Sequence, residues 1–436
     1  MAITDKGGNL VSLDPKTRSD WSCVYKNAFN EEYDLGGIIE QLSIYESIFN
    51  DCMFGNISLK DGQGFAERQA LIGSGVEEII VEIETTGIVD KNSNLRKEFR
   101  LNSYSDASYS STGNGLVNSN LGFVSKHLIK SNRTKISRSF NAMTASDIVG
   151  YITEDILKLP EGDNNLEWDA LITNEPTKNV KNCVIPSWTP FKTIKWLAKH
   201  SMSEDNGSSN YIFFENNEGF HFTSIDKLKE QDVTRTFTVG IDISQSLRSS
   251  ENGAVEVRTD LTEKFENTNR FNHTSSQHNG LYGGKVFTHN ILTKDYNNFE
   301  VNYVGSDETI MGGDAGLNGA GQFASAPDAH LGFMPDEYMY KIHDKKDKSH
   351  YVHRDMKMSE LRTNIVKFDI AGNTNIWAGQ IIEINVPSTI RENGADALDQ
   401  YLSGNWLVTA IHHKINDMEY VMTLECMRDG FENMPE

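Results

Sequence analysis

The sequence predicts a β-rich α+β fold on three observations. Apolar–polar alternation with a period of two fills both ends of the chain, two segments with helix-start signals separate those ends, and Gly, Asn and Asp punctuate the runs. The first runs are LGGIIEQLSIYESI, MFGNISLKD and VEEIIVEIETT. In residues 76–84, Ile79, Val81 and Ile83 fall on one face while Glu78, Glu82 and Glu84 fall on the other, the pattern of a half-exposed strand with an acidic side. Further strands are predicted over 97–105 and 123–140, the latter divided at Ser131-Asn132-Arg133.

The period then changes. Thr144-Ala145-Ser146-Asp147 has the form of a capping box, and Ile148, Ile152 and Ile156 follow at helical spacing up to Pro160. A second helix is marked by Thr189 as N-cap and Pro190 at its first position, with Phe191, Ile194, Leu197 and Ala198 on one face. YIFFE and GFHFTSIDKL then read as a hairpin turning at Asn216-Asn217. Alternation returns over 233–303. It dissolves into the Gly-, Ala- and Ser-rich segment 305–330, which reads as a long loop. Strands resume with NIVKFDIAG, GQIIEINVPS, WLVTAIHHKI and EYVMTLECM, interrupted by a surface excursion, TIRENGADALDQYLSG.

The two β-rich ends resemble one another. NISLKD followed by GSGVEEIIVEIE matches KFDIAG followed by WAGQIIEINVPS, and each pair precedes two longer amphipathic strands. The expected layout is a polar N-terminal arm (1–32), a first β-domain (33–142) and a helix-containing α/β domain (143–230). A second β-domain (231–275 and 364–431) then follows, interrupted by an inserted β/loop domain (276–363).

Composition narrows the function classes. A chain of 436 residues with 38% hydrophobic content can bury a sizeable core. No stretch reaches the ~18 apolar residues of a membrane span, and the N-terminus has no signal-peptide core, so a soluble protein that stays where it is made is expected. The four cysteines, Cys23, Cys52, Cys183 and Cys426, are far apart and form no C-x-x-C pair, which indicates neither a zinc site nor a disulfide scaffold. The net charge of −21 opposes any broad grip on nucleic acid phosphates. It serves solubility, and it would also suit a wall that must not bind DNA.

Several segments together resemble the baseplate hub family of contractile-tailed, T-even-like bacteriophages, related to the base of type VI secretion spike proteins. They are IPSWTPFKTIKWLAKHS, YIFFENNEGFHFTSIDKL, GLYGGKVFTHNILTKDY, AGQIIEINVPS, SGNWLVTAIHHKI and EYVMTLECMRD, in the family's order. The resemblance implies two tail-tube-like antiparallel β-barrel domains with smaller α/β insertion domains. It further implies a homotrimeric ring adapting the six-fold tail tube to the three-fold central spike, surrounded by baseplate wedge proteins. DNA would pass without specific binding, the virion would be the location, and no cofactor would be needed. One like-charge pair at about 10 Å is worth only roughly 0.4 kcal/mol in water, so an acidic lumen would act as a distributed non-stick surface. Glu78, Glu82 and Glu84 are the candidate lumen face; an ordinary solvated strand is the other reading.

Catalytic signatures are absent: there is no G-x-S-x-G and no H-E-x-x-H. His343, His350 and His353 have a spacing open to a transition metal but read better as surface histidines. His412 and His413 point to opposite faces of a strand. The glycine run 312–321 lacks the G-K-[ST] ending of a phosphate cradle. Trp188, Trp196, Trp377 and Trp406 read as packing residues, although they would also suit stacking on sugars. Two alternatives stay open: a tail-associated peptidoglycan hydrolase, motivated by the many carboxylates and tested by muropeptide release, and a carbohydrate-binding tail module, tested by glycan binding.

Overall fold

The computed structural model describes residues 19–62, 64–68, 73–85, 95–109, 117–159, 170–178, 181–240, 247–249, 255–257, 261–269, 274, 281, 283–289, 294, 296–302, 331–335, 350–388, 398, 399, 401–416 and 419–429. The chain opens with β1 (Ser19–Lys26), β2 (Glu32–Asp34), β3 (Ile39–Ser47), β4 (Phe54–Asp61), α1 (Phe65–Arg68), β5 (Glu78–Thr85), β6 (Leu95–Tyr109) and β7 (Val117–Ser125). The middle holds α2 (Lys126–Arg133), β8 (Ile136–Met143), α3 (Ala145–Tyr151) with a π turn Ile152–Ile156, and β9 (Leu171–Asn174). It continues with β10 (Lys181–Trp188), α4 (Pro190–Lys199), β11 (Tyr211–Glu215), β12 (Phe220–Ser224) and α5 (Ile225–Lys229). The last part begins with β13 (Val233–Val239), β14 (Leu247–Ser249), β15 (Val255–Val257), β16 (Leu261–Asn269), β17 (Gly283–His289), β18 (Tyr296–Asn302) and β19 (Leu331–Pro335). It ends with α6 (His350–Leu361), β20 (Asn364–Ala371), β21 (Ile381–Asn385), β22 (Gly404–Ile415) and β23 (Tyr420–Arg428).

Thirteen strands form one hydrogen-bonded sheet in the order β2-β1-β5-β6-β7-β4-β3-β22-β21-β13-β16-β20-β23, and β22 also pairs with β23. The similarity between the chain's two ends is visible in this order. From β5 the first half runs β5-β6-β7-β4-β3, and from β21 the second runs β21-β22-β23-β20-β16. Every pairing in both series is antiparallel. NISLKD lies in β4 and KFDIA in β20; EIIVEIE lies in β5 and IIEIN in β21. The matched segments therefore occupy the same place in two parts of this sheet that share one connectivity.

The halves meet along β22. Its residues Gly404–Leu407 pair with β21 and Ala410–Ile415 pair with β3 along the same edge, with a register shift between Val408 and Ala410 against β23. Bulges of this kind let a strand bend from one partner to another. With β22 bonded to β21 on one side and β23 on the other, the pairings β21-β22-β23-β20-β16-β13 return on themselves. One apolar cluster runs through both halves, joining Leu42, Ile57, Phe99 and Phe123 to Phe368, Trp406, Met422 and Leu424.

The helices and strands between β7 and β13, here called the insertion, share a second apolar cluster that includes Phe140, Ile148, Ile152, Phe191, Ile194, Leu197, Phe213 and Phe220. The Thr144 capping box is present, its hydroxyl accepting from Asp147 N–H, and α4 begins at Pro190 as expected. The structure departs from the expectation in three places. Ser19–Lys26, assigned to the polar arm, is a strand because Cys23 and Tyr25 alternate inward against exposed Asp20 and Ser22. Lys126–Arg133, read as strand up to Lys130 and as a break from Ser131, is a helix that buries His127 and Ser131 one turn apart. IDKLK leaves the hairpin because the Ser224 hydroxyl accepts from Lys227 N–H at 3.1 Å and starts α5. The long loop 305–330 lies outside the described residues.

Candidate functional site

For a protein read as an assembly component, the functional groups are sheet faces, edges and the joints between units. The predicted acidic face lies on β5, with Glu82 and Glu84 exposed, Glu78 half-buried, and Ile79, Val81 and Ile83 buried beneath. Pairing with β6 puts Arg100 opposite Glu78 and Arg96 opposite Glu82. Both contacts are ion pairs, Arg100 Nη2 to Glu78 Oε1 at 2.9 Å and Arg96 Nε to Glu82 Oε1 at 3.0 Å. Glu84 faces Asp20 of β1 directly across the strands. The strand is therefore acidic in sequence and mixed in charge once folded, except at its Glu84 end.

The joint between the halves carries a buried polar chain. In the β3–β22 register Glu46 stands opposite Ile411 and His413 opposite Ile44. His413 Nε2 is 2.9 Å from Glu46 Oε1, and His413 Nδ1 is 2.8 Å from the Tyr420 hydroxyl on β23. The other Glu46 oxygen accepts from Ala378 N–H at 3.2 Å. With Nε2–H donating to the carboxylate, Nδ1 serves as acceptor for the Tyr420 O–H. Burial, reinforced by Glu46, pushes the Tyr420 hydroxyl well above its ordinary range. A Glu–His–Tyr series has the outline of a proton relay, but all three side chains are buried in the joint. Its action is to fix three strands.

The insertion is held to the sheets by charge as well as apolar contact. Lys97 of β6 and Glu215 of β11, both fully buried, lie 3.6 Å apart, and Glu215 Oε2 also accepts from Met53 N–H. Asn216 donates to Ala378 O and Asn217 to Thr374 O. At the other end Asp226 of α5 gathers Lys229 at 3.1 Å, Lys357 and Ser208, while Lys229 also reaches Asp429. Burial pushes the Asp226 carboxyl up, but the two lysines outweigh it and hold the group well below the usual carboxylate range. His221, buried between Thr173 Oγ1 and Asn216 Oδ1, is held down to about 3, first by burial and then by Lys97.

The remaining sequence candidates do not converge. His350 is buried in α6 and His353 exposed, while His343 and the glycine run 312–321 lie outside the described residues. His412 stacks half-buried on Tyr45 at 4.4 Å, and His413 points inward as the alternation required. Trp406 is buried under the Arg428 guanidinium at 4.2 Å. Trp188 and Trp196 meet edge to face at 5.9 Å, half-buried, and Trp377 is half-buried. All four cysteines are buried, and burial raises Cys23 and Cys52 to about 12 and Cys426 well above its ordinary value. Such thiols are poor nucleophiles. Sequence reasoning missed Glu46, Lys97 and Asp226, whose signal is a charge standing at an inward position of a strand or helix.

No family model matches the chain. Over 407 residues it is 23% identical to a probable baseplate hub protein of Vibrio phage KVP40, spanning 91% of each chain. Among solved structures it is similar to the 43 kDa tail protein of prophage MuSo2 from Shewanella oneidensis, with a TM-score of 0.54 at 10% identity, covering 93% of this chain and 98% of that one. The tail protein from Neisseria meningitidis MC58 gives 0.52 at 9% identity, covering 94% and 97%. The two structural likenesses establish a shared fold. With the whole-chain sequence likeness, the resemblance first read from the residues stands: this protein resembles the baseplate hub proteins of contractile-tailed phages and has the fold of phage tail proteins.

Proposed function

We propose that the chain is a structural hub of the phage baseplate, three copies of which close into a ring between the tail tube and the central spike. The observation that carries this reading is the repeated strand order, β5-β6-β7-β4-β3 and β21-β22-β23-β20-β16, within one chain. A chain with two equivalent tube-like β-units contributes two positions to a ring, so three chains present six similar positions on a three-fold axis. A six-fold tube and a three-fold spike can then be matched by geometry alone. The β3–β22 joint and its Glu46–His413–Tyr420 chain set the angle between the units within each copy.

In this reading the spike lies below the ring, the tube above it and the wedge proteins around it, and the protein reaches the virion by assembly in the host cytoplasm. DNA passes through the ring without specific binding. The net charge of −21 supports that role at the level of the whole chain. Electron microscopy of the purified protein, alone and with a spike partner, tests the proposal. A hollow ring with three-fold outline and six internal lobes is the expected image; a chain that stays monomeric and binds neither spike nor tube overturns it.

A further inference from the structure

The chain's charge is segregated. Residues 107–146 and 176–203 contain no Asp or Glu, whereas 62 acidic residues in 436 would place about ten in 68 positions. The same two stretches carry ten of the chain's 41 Lys and Arg. The fold brings them together, because β8 pairs with β10 and Phe191 N–H at the start of α4 donates to Ser131 Oγ of α2. Two of these cations are spent locally, Lys126 on Glu98 at 3.2 Å and Lys195 on Asp51 at 2.5 Å. Lys130, Arg133, Lys135, Arg138, Lys192 and Lys199 are exposed and have no ion-pair partner among the described residues. Lys192 lies over the half-buried Trp188 ring at 4.9 Å, so this surface joins charge to aromatic area.

An opposite surface exists on the same chain. Asp20 and Glu84, both exposed, stand directly across from one another on β1 and β5, and neither has an ion-pair partner among the described residues. Like charges so placed repel, and a cation brought to them relieves the repulsion. They lie at the sheet's outer edge, where β2 covers β1 only over Val24–Lys26.

We propose that the basic surface of the insertion docks on the Asp20–Glu84 edge of a second copy of this chain. A basic and an acidic surface at different places on the chain can meet head to tail, and such contacts generate rings when the rotation closes. The inference rests on the hub reading and deepens it. It places Glu84 at a contact between copies, away from the DNA path.

Sedimentation velocity on the full-length chain tests it. Between about 0.05 and 0.5 M salt the dissociation constant of the oligomer is expected to rise at least tenfold, because the contact is made of exposed charges. At intermediate salt K135E/K192E/K199E and D20K/E84K are each expected to shift the protein to monomer, and the chain carrying all five changes to recover the oligomer. Circular dichroism melts show whether each variant folds, and the salt series needs no variant. An oligomer indifferent to salt and to both reversals overturns the inference and leaves the hub reading standing. So does a five-fold variant that folds yet stays monomeric. Binding of duplex DNA by the natural chain, lost in K135E/K192E/K199E while the oligomer persists, would identify the surface as a polyanion site instead. A chain monomeric throughout also overturns it, and spike binding then decides the hub reading.

Discussion

His413 Nε2 stands 2.9 Å from Glu46 Oε1, and this contact crosses the line where β22 of one half meets β3 of the other. Replacing Glu46 by Ala removes the acceptor of two buried N–H groups, those of His413 and Ala378. Each buried N–H left without a partner costs about 1–3 kcal/mol, so Glu46→Ala is expected to cost about 2–6 kcal/mol. Glu46→Gln keeps a carbonyl acceptor and is expected to cost about 1–2 kcal/mol, on the scale of a net hydrogen bond. Urea unfolding of the purified chain measures both, and equal, near-zero losses would refute the joint's role.

The Tyr420 ring lies where Gly372 would place a side chain: an added Cβ would stand 1.9 Å from Tyr420 Cδ1. Gly372→Ala must displace the ring and its hydrogen bond to His413, and overpacking of this kind costs roughly 1–3 kcal/mol. If the damage travels through Tyr420, Gly372→Ala and Tyr420→Phe are not additive in a double-mutant cycle. Strict additivity in thermal melts would show that the glycine acts on something else.

Lys97 and Glu215 tie the first sheet to the insertion through a fully buried pair. Lys97→Met takes the counter-charge from the buried Glu215 carboxylate and is expected to cost about 3–5 kcal/mol. Adding Glu215→Gln removes the buried charge that Lys97 balanced and retains an acceptor for Met53 N–H, so K97M/E215Q is expected to be more stable than K97M. Guanidinium titrations compare the three proteins, and a double variant weaker than K97M would contradict the pairing.

The repeat was legible in the sequence because period-two alternation survives translation into strands, and NISLKD and KFDIA mark the same strand in each half. Thr144 and Thr189 marked their helices because a helix start is a local event. Lys126–Arg133 was misread because eight residues with one turn of buried contact carry too little period to separate helix from strand. The acidic face of β5 was half-legible: its alternation is correct, but Arg96 and Arg100 arrive from β6 through a register that no local pattern encodes. Glu46 and His413 lie 367 residues apart, and only the meeting of β3 with β22 makes them partners.

Acid is expected to loosen the insertion in two stages. His221 is held down to about 3 in the fold by burial and by Lys97, while an unfolded histidine titrates near about 6.5. Below that value the unfolded chain takes up a proton that the folded chain refuses, so stability falls as the pH drops from about 6.5 toward 3. Asp226, held below the carboxylate range by Lys229 and Lys357 against the effect of burial, adds a second loss. Its contribution is fully present above the unfolded value of about 3.9 and disappears as the pH falls through the lower folded one. The urea midpoint is therefore expected to slope downward from near-neutral pH and to steepen below about pH 4. His221→Gln should flatten the upper part and Asp226→Asn the lower part. A His221→Gln protein with an unchanged slope between about pH 6.5 and 4.5 would show that the buried imidazole does not govern this stage.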